Sequence, residues 1–154
     1  MPLFVAVLLL ALVPLQRPSD IVKWSAVAQA GSGDAVTVTV TAKVQAGWKL
    51  YAIEQPPGGP IPLAFDLADG APYDIVPGQI VSPKAKVQKQ DANFTVDTRY
   101  YEGEAKFTVP VRMKGTVPAG ARTIPLEITF QACGAELCLR PFTERLAVPV
   151  TVRR

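Results

Sequence analysis

Two cysteines are the residues whose type and spacing could do chemistry. Cys133 and Cys138 stand in the segment Cys-Gly-Ala-Glu-Leu-Cys, and the 154-residue sequence contains 2 cysteines in all. It contains no histidine, which excludes Ser-His-Asp and Cys-His catalysis and histidine-based metal sites. The pair could therefore serve thiol–disulfide exchange, act as a structural disulfide, or supply two thiolates to a metal.

The chain that must position these cysteines has the period of β-strands. Apolar and polar residues alternate strictly over 36–42, 106–111, 123–130 and 146–152, and more weakly over 21–28, 48–53, 63–67 and 74–81. Gly- and Pro-rich turn signals separate these runs, and no segment has a sustained helical period. This pattern predicts an all-β domain, an immunoglobulin-like β-sandwich with a Cys-bearing hairpin and little helix.

Prolines occur inside three of the predicted strands. The sequence contains 15 prolines, and Pro110, Pro125 and Pro149 interrupt otherwise regular alternation. Because proline lacks the N–H that a sheet ladder needs, we expect these positions at sheet edges or bulges.

The charge pattern gives no indication of nucleic-acid binding. The formal net charge is +3, from 16 basic and 13 acidic residues, and the basic residues are scattered. We expect Lys84, Lys86 and Lys89 to lie in a solvated loop.

The N-terminus indicates export. Residues 3–13 form an uncharged apolar run that ends at Pro14, whereas a membrane-spanning helix needs about 20 residues. The run is typical of a secretory signal peptide, which we predict over residues 1–18 without fixing its cleavage site, followed by a domain over 19–154. The protein is then periplasmic or otherwise exported and does not itself span the membrane. A buried N-terminal strand or a misplaced start codon are the alternatives.

The cysteines are expected at the neck of a hairpin, between the strand that ends at Phe130 and the one that starts near Thr143. Opposed residues there can have Cα atoms about 5.5 Å apart, which suits a disulfide, and an exported protein meets an oxidising compartment. The motif differs from the thioredoxin-type Cys-x-x-Cys at a helix N-terminus, since no helix is predicted.

Spacing alone leaves three roles for the pair. As a staple, the short loop would contribute only about 2 kcal/mol by the chain-entropy estimate. As an exchange centre, it would offer a partner thiolate access to a sulfur, with Arg140 favouring the thiolate and Glu136 opposing it. Metal handling is the third role, and two thiolates without histidine make a poor ligand set.

The hairpin region resembles the active hairpin of the N-terminal periplasmic domain of DsbD, a transmembrane thiol:disulfide interchange protein. The similarity lies in the aromatic-Gln-x-Cys opening at 130–133 and in Cys138 shortly before Pro141. Residues 47–51 (Gly-Trp-Lys-Leu-Tyr), the Gly-Pro-Ile-Pro segment at 59–62 and the Tyr-Glu-Gly-Glu segment at 101–104 are similar to further parts of the family, in the same order.

The resemblance implies an electron relay rather than a stand-alone enzyme, without a cofactor. Electrons would come from a membrane-embedded thiol–disulfide transporter, a separate protein from this chain, and would pass to oxidised periplasmic proteins of the thioredoxin-like or isomerase type. An immunoglobulin-like binding or assembly module with a purely structural disulfide is the alternative function.

The resemblance also implies roles for individual residues. Cys138 would form the mixed disulfide with partners, and Cys133 would resolve it. Phe94 matches an aromatic cap over the disulfide, although Ala92 and Asn93 stand where the family has acidic residues; otherwise Phe94 starts the next strand and packs in the core. Independently of the resemblance, the adjacent Tyr100 and Tyr101 should face opposite sides of a strand, one in the core and the other at the cysteine site. We assign Tyr101, together with Arg140, to the lining of the site.

Overall fold

Long antiparallel strands form where the sequence alternates with period two. The computed structural model describes residues 16–153, and in this range the chain has one four-residue helix and eleven strands. The elements are α1 (Pro18–Ile21), β1 (Val22–Ala30), β2 (Ala35–Val44), β3 (Lys49–Tyr51), β4 (Ala64–Leu67), β5 (Tyr73–Ile75), β6 (Lys86–Gln88), β7 (Thr98–Tyr101), β8 (Glu104–Met113), β9 (Gly120–Phe130), β10 (Ala132–Cys133) and β11 (Phe142–Val152). The four strict alternations lie in β2, β8, β9 and β11, as predicted.

Two sheets enclose the main hydrophobic core. The first has the strand order β1-β2-β8-β5, and the second has the order β11-β9-β4. Every second residue is buried along β2, and along β9 from Ile124 onward, because alternate side chains leave opposite faces of a strand. The centre of the core is a cluster of aromatic rings with centroids 5.3–6.4 Å apart, formed by Trp24, Phe65, Phe107 and Phe130.

A third sheet, with the strand order β10-β3-β7-β6, carries the cysteine segment. Its strands have two to four residues, too few for a period to show in the sequence. Leu50 and Tyr101, which are register partners in this sheet, are buried in the main core. One of its faces therefore completes the sandwich, and the other face is free to carry a site.

Pro110 and Pro125 correct the expectation that strand prolines lie at edges or bulges. Both lie in interior strands, β8 and β9, whereas Pro149 lies in β11 at the edge of the second sheet. The carbonyl of Pro110 accepts from Val76 N–H, and that of Pro125 accepts from Ala68 N–H. Each proline nitrogen thus faces the side where a short neighbouring strand has just ended, so no ladder hydrogen bond is lost.

Two further predictions need adjustment. The expected strand over 74–81 is reduced to β5 and a single bridge at Val81, and Lys86 begins an edge strand instead of lying in a loop. The predicted signal peptide falls mostly on residues 1–15, outside the described part of the chain. Within residues 16–153 no helix is long and apolar enough to cross a bilayer.

Candidate redox site

The cysteines lie where one strand leaves the second sheet and joins the third. Strand β9 ends at Phe130, and after Gln131 the chain continues as β10, which pairs with β3. In this pairing Cys133 lies opposite Lys49. The chain then turns and returns to the second sheet as β11, so the cysteine hairpin is the far end of the long β9–β11 hairpin.

Cys133 and Cys138 form a disulfide across the neck of this hairpin. Their Cα atoms are 4.0 Å apart, closer than the expected separation of about 5.5 Å. The reason is the register: the flanking hydrogen bonds run from Gly134 N–H to Leu137 O and from Leu139 N–H to Ala132 O. The cysteines therefore form the non-hydrogen-bonded type of antiparallel pair, which brings opposed residues nearest to each other.

A β-bulge separates the cysteine pair from the rest of the hairpin. Between the Phe130–Phe142 pair and the Cys133–Cys138 pair, one strand has two residues and the other has three. The Gln131 side chain spans this point: its amide donates to Leu139 O at 3.4 Å, and its Oε1 accepts from Ile61 N–H at 3.0 Å. The bulge and Gln131 together direct the hairpin end toward the third sheet.

Trp48 supports the turn of the hairpin. A methyl group at Gly134 would lie 3.2 Å from the Trp48 ring, so the indole packs directly against the glycine backbone. Trp48 is 9% exposed and belongs to the main core cluster. A residue larger than glycine at position 134 would displace either the ring or the turn.

The two sulfur-bearing residues differ in exposure. Cys133 is 1% exposed, whereas Cys138 is partly exposed and follows Leu137, which is 54% exposed at the turn. Cys133 is also buried outside the main core cluster, as is Tyr51. Solvent and any incoming thiolate therefore meet Cys138 first.

The register of the third sheet defines which residues share the face of Cys133. Cys133 pairs with Lys49, and Tyr51, two residues further along β3, pairs with Tyr100. Paired residues and residues two apart lie on one face, so these four side chains share what we call the outer face, and Thr98 lies there too.

Tyr101 does not line the site, contrary to the sequence-based prediction. It lies on the opposite face, with its ring centroid 5.3 Å from that of Phe107, and burial raises the pKa of its hydroxyl. Tyr100 has the position predicted for Tyr101: its ring lies 4.8 Å from the Lys49 ammonium on the outer face. A one-residue difference in register selects between these adjacent tyrosines, and sequence alone does not reveal it.

Phe94 lies in a loop over the outer face. Residues 89–97, which we call the Asp91 loop, connect β6 to β7, and Phe94 stands four residues before β7 begins. Its ring meets the Tyr51 ring edge to face at 5.5 Å between centroids. Phe94 is partly exposed and is not among the main core residues, which differs from the alternative that it packs in the core.

Asp91 fixes this loop and was not identified from the sequence. Its carboxylate accepts hydrogen bonds from Tyr51 Oη at 3.1 Å, from Thr98 Oγ1 at 2.8 Å and from Asn93 N–H at 3.0 Å. The sequence contains a signal for Tyr51, its place in the Gly47–Tyr51 motif. It contains none for the burial of Asp91, because loops have no period from which burial can be predicted.

In this cluster, burial and hydrogen bonding shift the pKa of Asp91 in opposite directions. Burial would raise the pKa of Asp91, but the donors Asn93 N–H, Thr98 and Tyr51, helped by the charge of Lys49, outweigh it and the pKa is lowered. Burial and the adjacent Asp91 carboxylate raise the pKa of the Tyr51 hydroxyl. Asp91 is thus a carboxylate and Tyr51 a neutral donor at neutral pH.

Charged residues near the cysteines are mostly directed to solvent. Arg140 and Glu136 are exposed, and neither forms an ion pair within the described range. Lys49, directly opposite Cys133, donates to Gln88 Oε1 at 3.1 Å. In residues 16–153 no three Cys, Asp or Glu side chains come together as a potential metal-ligand set.

Together, the fold and site define a β-sandwich with a disulfide on a hairpin beside a partly covered sheet face. The family model of the N-terminal domain of the thiol:disulfide interchange protein DsbD matches residues 17–149, which include both cysteines. The chain belongs to this family. The fold is accordingly immunoglobulin-like, as predicted.

Two solved structures are similar in fold. One is the N-terminal domain of DsbD from Neisseria meningitidis in the reduced form, with 17% identity, 90% of this chain and 92% of that chain covered, and a TM-score of 0.57. The other is the N-terminal periplasmic domain of ScsB from Proteus mirabilis, with 16% identity, 87% of this chain and 49% of that chain covered, and a TM-score of 0.58. The comparison with curated proteins gives no match.

Proposed function

We propose that this protein is an exported thiol–disulfide exchange domain. It relays electrons through Cys133 and Cys138 from a membrane-embedded reductant to oxidised periplasmic proteins of the thioredoxin-like or isomerase type. The observation that carries the proposal is the unequal exposure of a disulfide on a hairpin outside the main core, in a chain of the DsbD N-terminal family. DsbD N-terminal domains are periplasmic, which supports the predicted export.

The exposure difference favours Cys138 as the residue that partners attack. A reducing thiolate bonds to the Cys138 sulfur, the Cys133–Cys138 bond breaks, and Cys133 leaves as a thiolate that takes up a proton. The second thiol of the reductant then attacks the reductant's first sulfur, which is bonded to Cys138 in the mixed disulfide. This releases Cys138, which takes up a proton and becomes a thiol. Two electrons have then passed to the domain, and the reductant leaves as a disulfide.

The same geometry serves the outgoing reaction. The Cys138 thiolate attacks an oxidised partner and forms a mixed disulfide, and the partner's other sulfur leaves as a thiolate. Cys133, whose Cα atom lies 4.0 Å from that of Cys138 in the disulfide form, then attacks the Cys138 sulfur and expels the reduced partner. Arg140, two residues beyond Cys138, supplies a positive charge that would favour its thiolate.

The outer face has the features of a protected site. Phe94 is the large apolar residue of the Asp91 loop, and it rests on Tyr51, a neighbour of Cys133 on the same face. We assign Phe94 the role of a cap that restricts thiols from reaching the disulfide until a partner displaces the loop. Such a cap would limit wasteful exchange with small thiols in an oxidising compartment.

Trapping tests the proposal. In Cys133→Ala the resolving thiol is absent, so this variant should accumulate a mixed disulfide through Cys138 when it is mixed with a purified thioredoxin that keeps only its attacking cysteine, activated as a mixed disulfide with thionitrobenzoate. The thionitrobenzoate leaves as a thiolate, and no second thiol on the partner remains to break the new bond. The matched variant Cys138→Ala keeps only the buried thiol and should trap at least about tenfold less, because exchange needs access to the sulfur. Equal trapping by both variants, or none by folded Cys133→Ala, would contradict the proposed exchange chemistry.

A further inference from the structure

The outer face of the third sheet holds an unusual buried cluster. Asp91 and Thr98 are the two buried side chains with polar or charged character among the described residues, at 3% and 0% exposure, and they are bonded to each other. A buried carboxylate is costly unless donors surround it, and here three donors do so. The bond from Asn93 N–H is a local Asx turn, whereas the bonds from Tyr51 and Thr98 join the carboxylate to two strands outside the loop.

The donors come from three separate elements. Tyr51 belongs to β3, Thr98 begins β7, and Asn93 N–H lies within the Asp91 loop itself. The backbone of Asp91 also closes the loop: its N–H donates to Val96 O, and its carbonyl accepts from the N–H groups of Phe94 and Thr95. One residue therefore shapes the loop and attaches it to two strands.

The loop has few other attachments beyond its ends. In the described part of the chain, the loop meets β3 at Tyr51: the Tyr51 hydroxyl contacts the Asp91 carboxylate and the Asn93 side chain, and the Tyr51 ring contacts Phe94. Lys89 and Asp97 pair with each other at the loop neck, at 2.6 Å in solvent. Gln90 and Thr95 adopt left-handed backbone conformations, with φ of 42° and 60°, which are unfavourable for residues other than glycine. The closed loop is thus strained, and it is held to β3 and β7 by a few polar contacts around Asp91 and by the Phe94–Tyr51 ring contact.

We propose that Asp91 is a positioning residue that latches the loop closed, so that Phe94 stays on Tyr51 over the outer face. This inference rests on the proposed function, because the latch controls how fast a thiol reaches the Cys133–Cys138 bond. The latch opens when the carboxylate loses its hydrogen bonds to Tyr51 and Thr98, and Phe94 then leaves the Tyr51 ring. The covalent step is the exchange described above, and the latch changes no atom or electron in it.

Conservative substitutions distinguish a loop held by hydrogen bonds to Asp91 from a loop held by packing alone. Tyr51→Phe removes the hydroxyl donor and keeps the ring on which Phe94 rests, and Thr98→Val removes the other donor with little change of shape. Each should raise the rate at which dithiothreitol reduces the disulfide by about fivefold, the effect of one net hydrogen bond. Asp91→Ala should raise it by about 30-fold, close to the effect of Phe94→Ala. Asp97→Asn, which removes a charge at the loop neck but keeps an oxygen that can accept from Gln90 N–H, should leave the rate unchanged.

A double variant tests the order of these effects. If the latch acts only by holding Phe94 in place, Tyr51→Phe combined with Phe94→Ala should be no faster than Phe94→Ala alone. Thermal unfolding of every variant shows whether it remains folded. Tyr51→Phe and Thr98→Val keep the test valid if Asp91→Ala does not fold.

Two results would overturn the inference. If Phe94→Ala accelerates reduction but Tyr51→Phe, Thr98→Val and folded Asp91→Ala do not, packing holds the loop and Asp91 is not a latch. If Phe94→Ala also leaves the rate unchanged, neither the cap nor the latch exists. The exchange function is tested separately by the trapping experiment and the reduction potential, so its failure and that of the latch are distinguishable.

Discussion

Two regions of this molecule are buried, and they are held in different ways. The main core is a continuous apolar cluster between two sheets, in which Phe107 is fully buried and contacts three aromatic rings. The outer face of the third sheet holds Tyr51 and Cys133, which are also buried. Tyr51 lies under a nine-residue loop that is attached through Asp91 and one ring contact.

In our proposal, this difference lets one domain combine a permanent core with a site that opens. Apolar packing is lost only when the sandwich unfolds, whereas a few hydrogen bonds and one partly exposed ring can be released locally. Burial alone therefore does not tell which region is static. The nature of the contacts does, and the following predictions compare the two regions on that basis.

The largest effect on stability is expected in the main core. Phe107→Ala should lower the free energy of unfolding by about 3–5 kcal/mol, because it removes a fully buried ring and leaves a cavity. Urea unfolding of the oxidised protein measures this. A loss below about 1.5 kcal/mol would mean that the sandwich does not depend on this aromatic cluster.

Reducing the disulfide should lower the free energy of unfolding by less than removing a core ring does. The chain-entropy estimate for the short loop between Cys133 and Cys138 is about 2 kcal/mol, and Cys133 lies outside the main core. The reduced protein should therefore remain folded at room temperature, as shown by an unchanged far-UV circular dichroism spectrum. Unfolding by mild reductant under native conditions would indicate a structural disulfide.

Phe94→Ala provides the direct counterpart of Phe107→Ala. Because Phe94 is partly exposed in a loop, its truncation should cost less than about 2 kcal/mol, below the range for a buried ring. Its reduction by dithiothreitol should nevertheless be faster than that of the wild type. A full core-like loss of stability with an unchanged reduction rate would show that Phe94 is a core residue.

The smallest expected effect is that of pH on the closure of the Asp91 loop and on the rate at which the disulfide is reduced. The native pKa of Asp91 lies below its ordinary value of 3.8, so its stabilisation of the loop is complete above that value and is lost as pH falls through the native pKa. The charged and titratable groups around it are Lys49 and Tyr51 on β3 and Lys89 and Asp97 at the loop neck. Between pH 5 and 8 the loop should stay closed.

Reduction by a water-soluble phosphine measures this pH effect. The rate for the wild type, divided by that for Phe94→Ala at the same pH, should stay constant from pH 8 to pH 5 and rise only below about pH 4. Asp97→Asn should leave this curve in place, since the exposed Asp97 pairs with Lys89 rather than with β3. A ratio that rises near pH 6 would exclude Asp91 as the titrating group.

The sequence predicted the main core better than the outer face of the third sheet. Period-two alternation identified β2, β8, β9 and β11, because long strands with one buried face must alternate. The short strands of the third sheet have no such period, and the side on which Tyr100 and Tyr101 lie depends on a register set by tertiary pairing. The cysteine pair was identified from its spacing and family resemblance, whereas the burial of Asp91 arises only when the loop folds onto β3 and β7.

The most direct test of the central claim is the reduction potential of the Cys133–Cys138 bond, measured by equilibration with dithiothreitol buffers and quantification of free thiols. An exchange disulfide should titrate above about −300 mV, the level below which structural disulfides usually lie. A potential well below about −300 mV would contradict the account and indicate a structural staple.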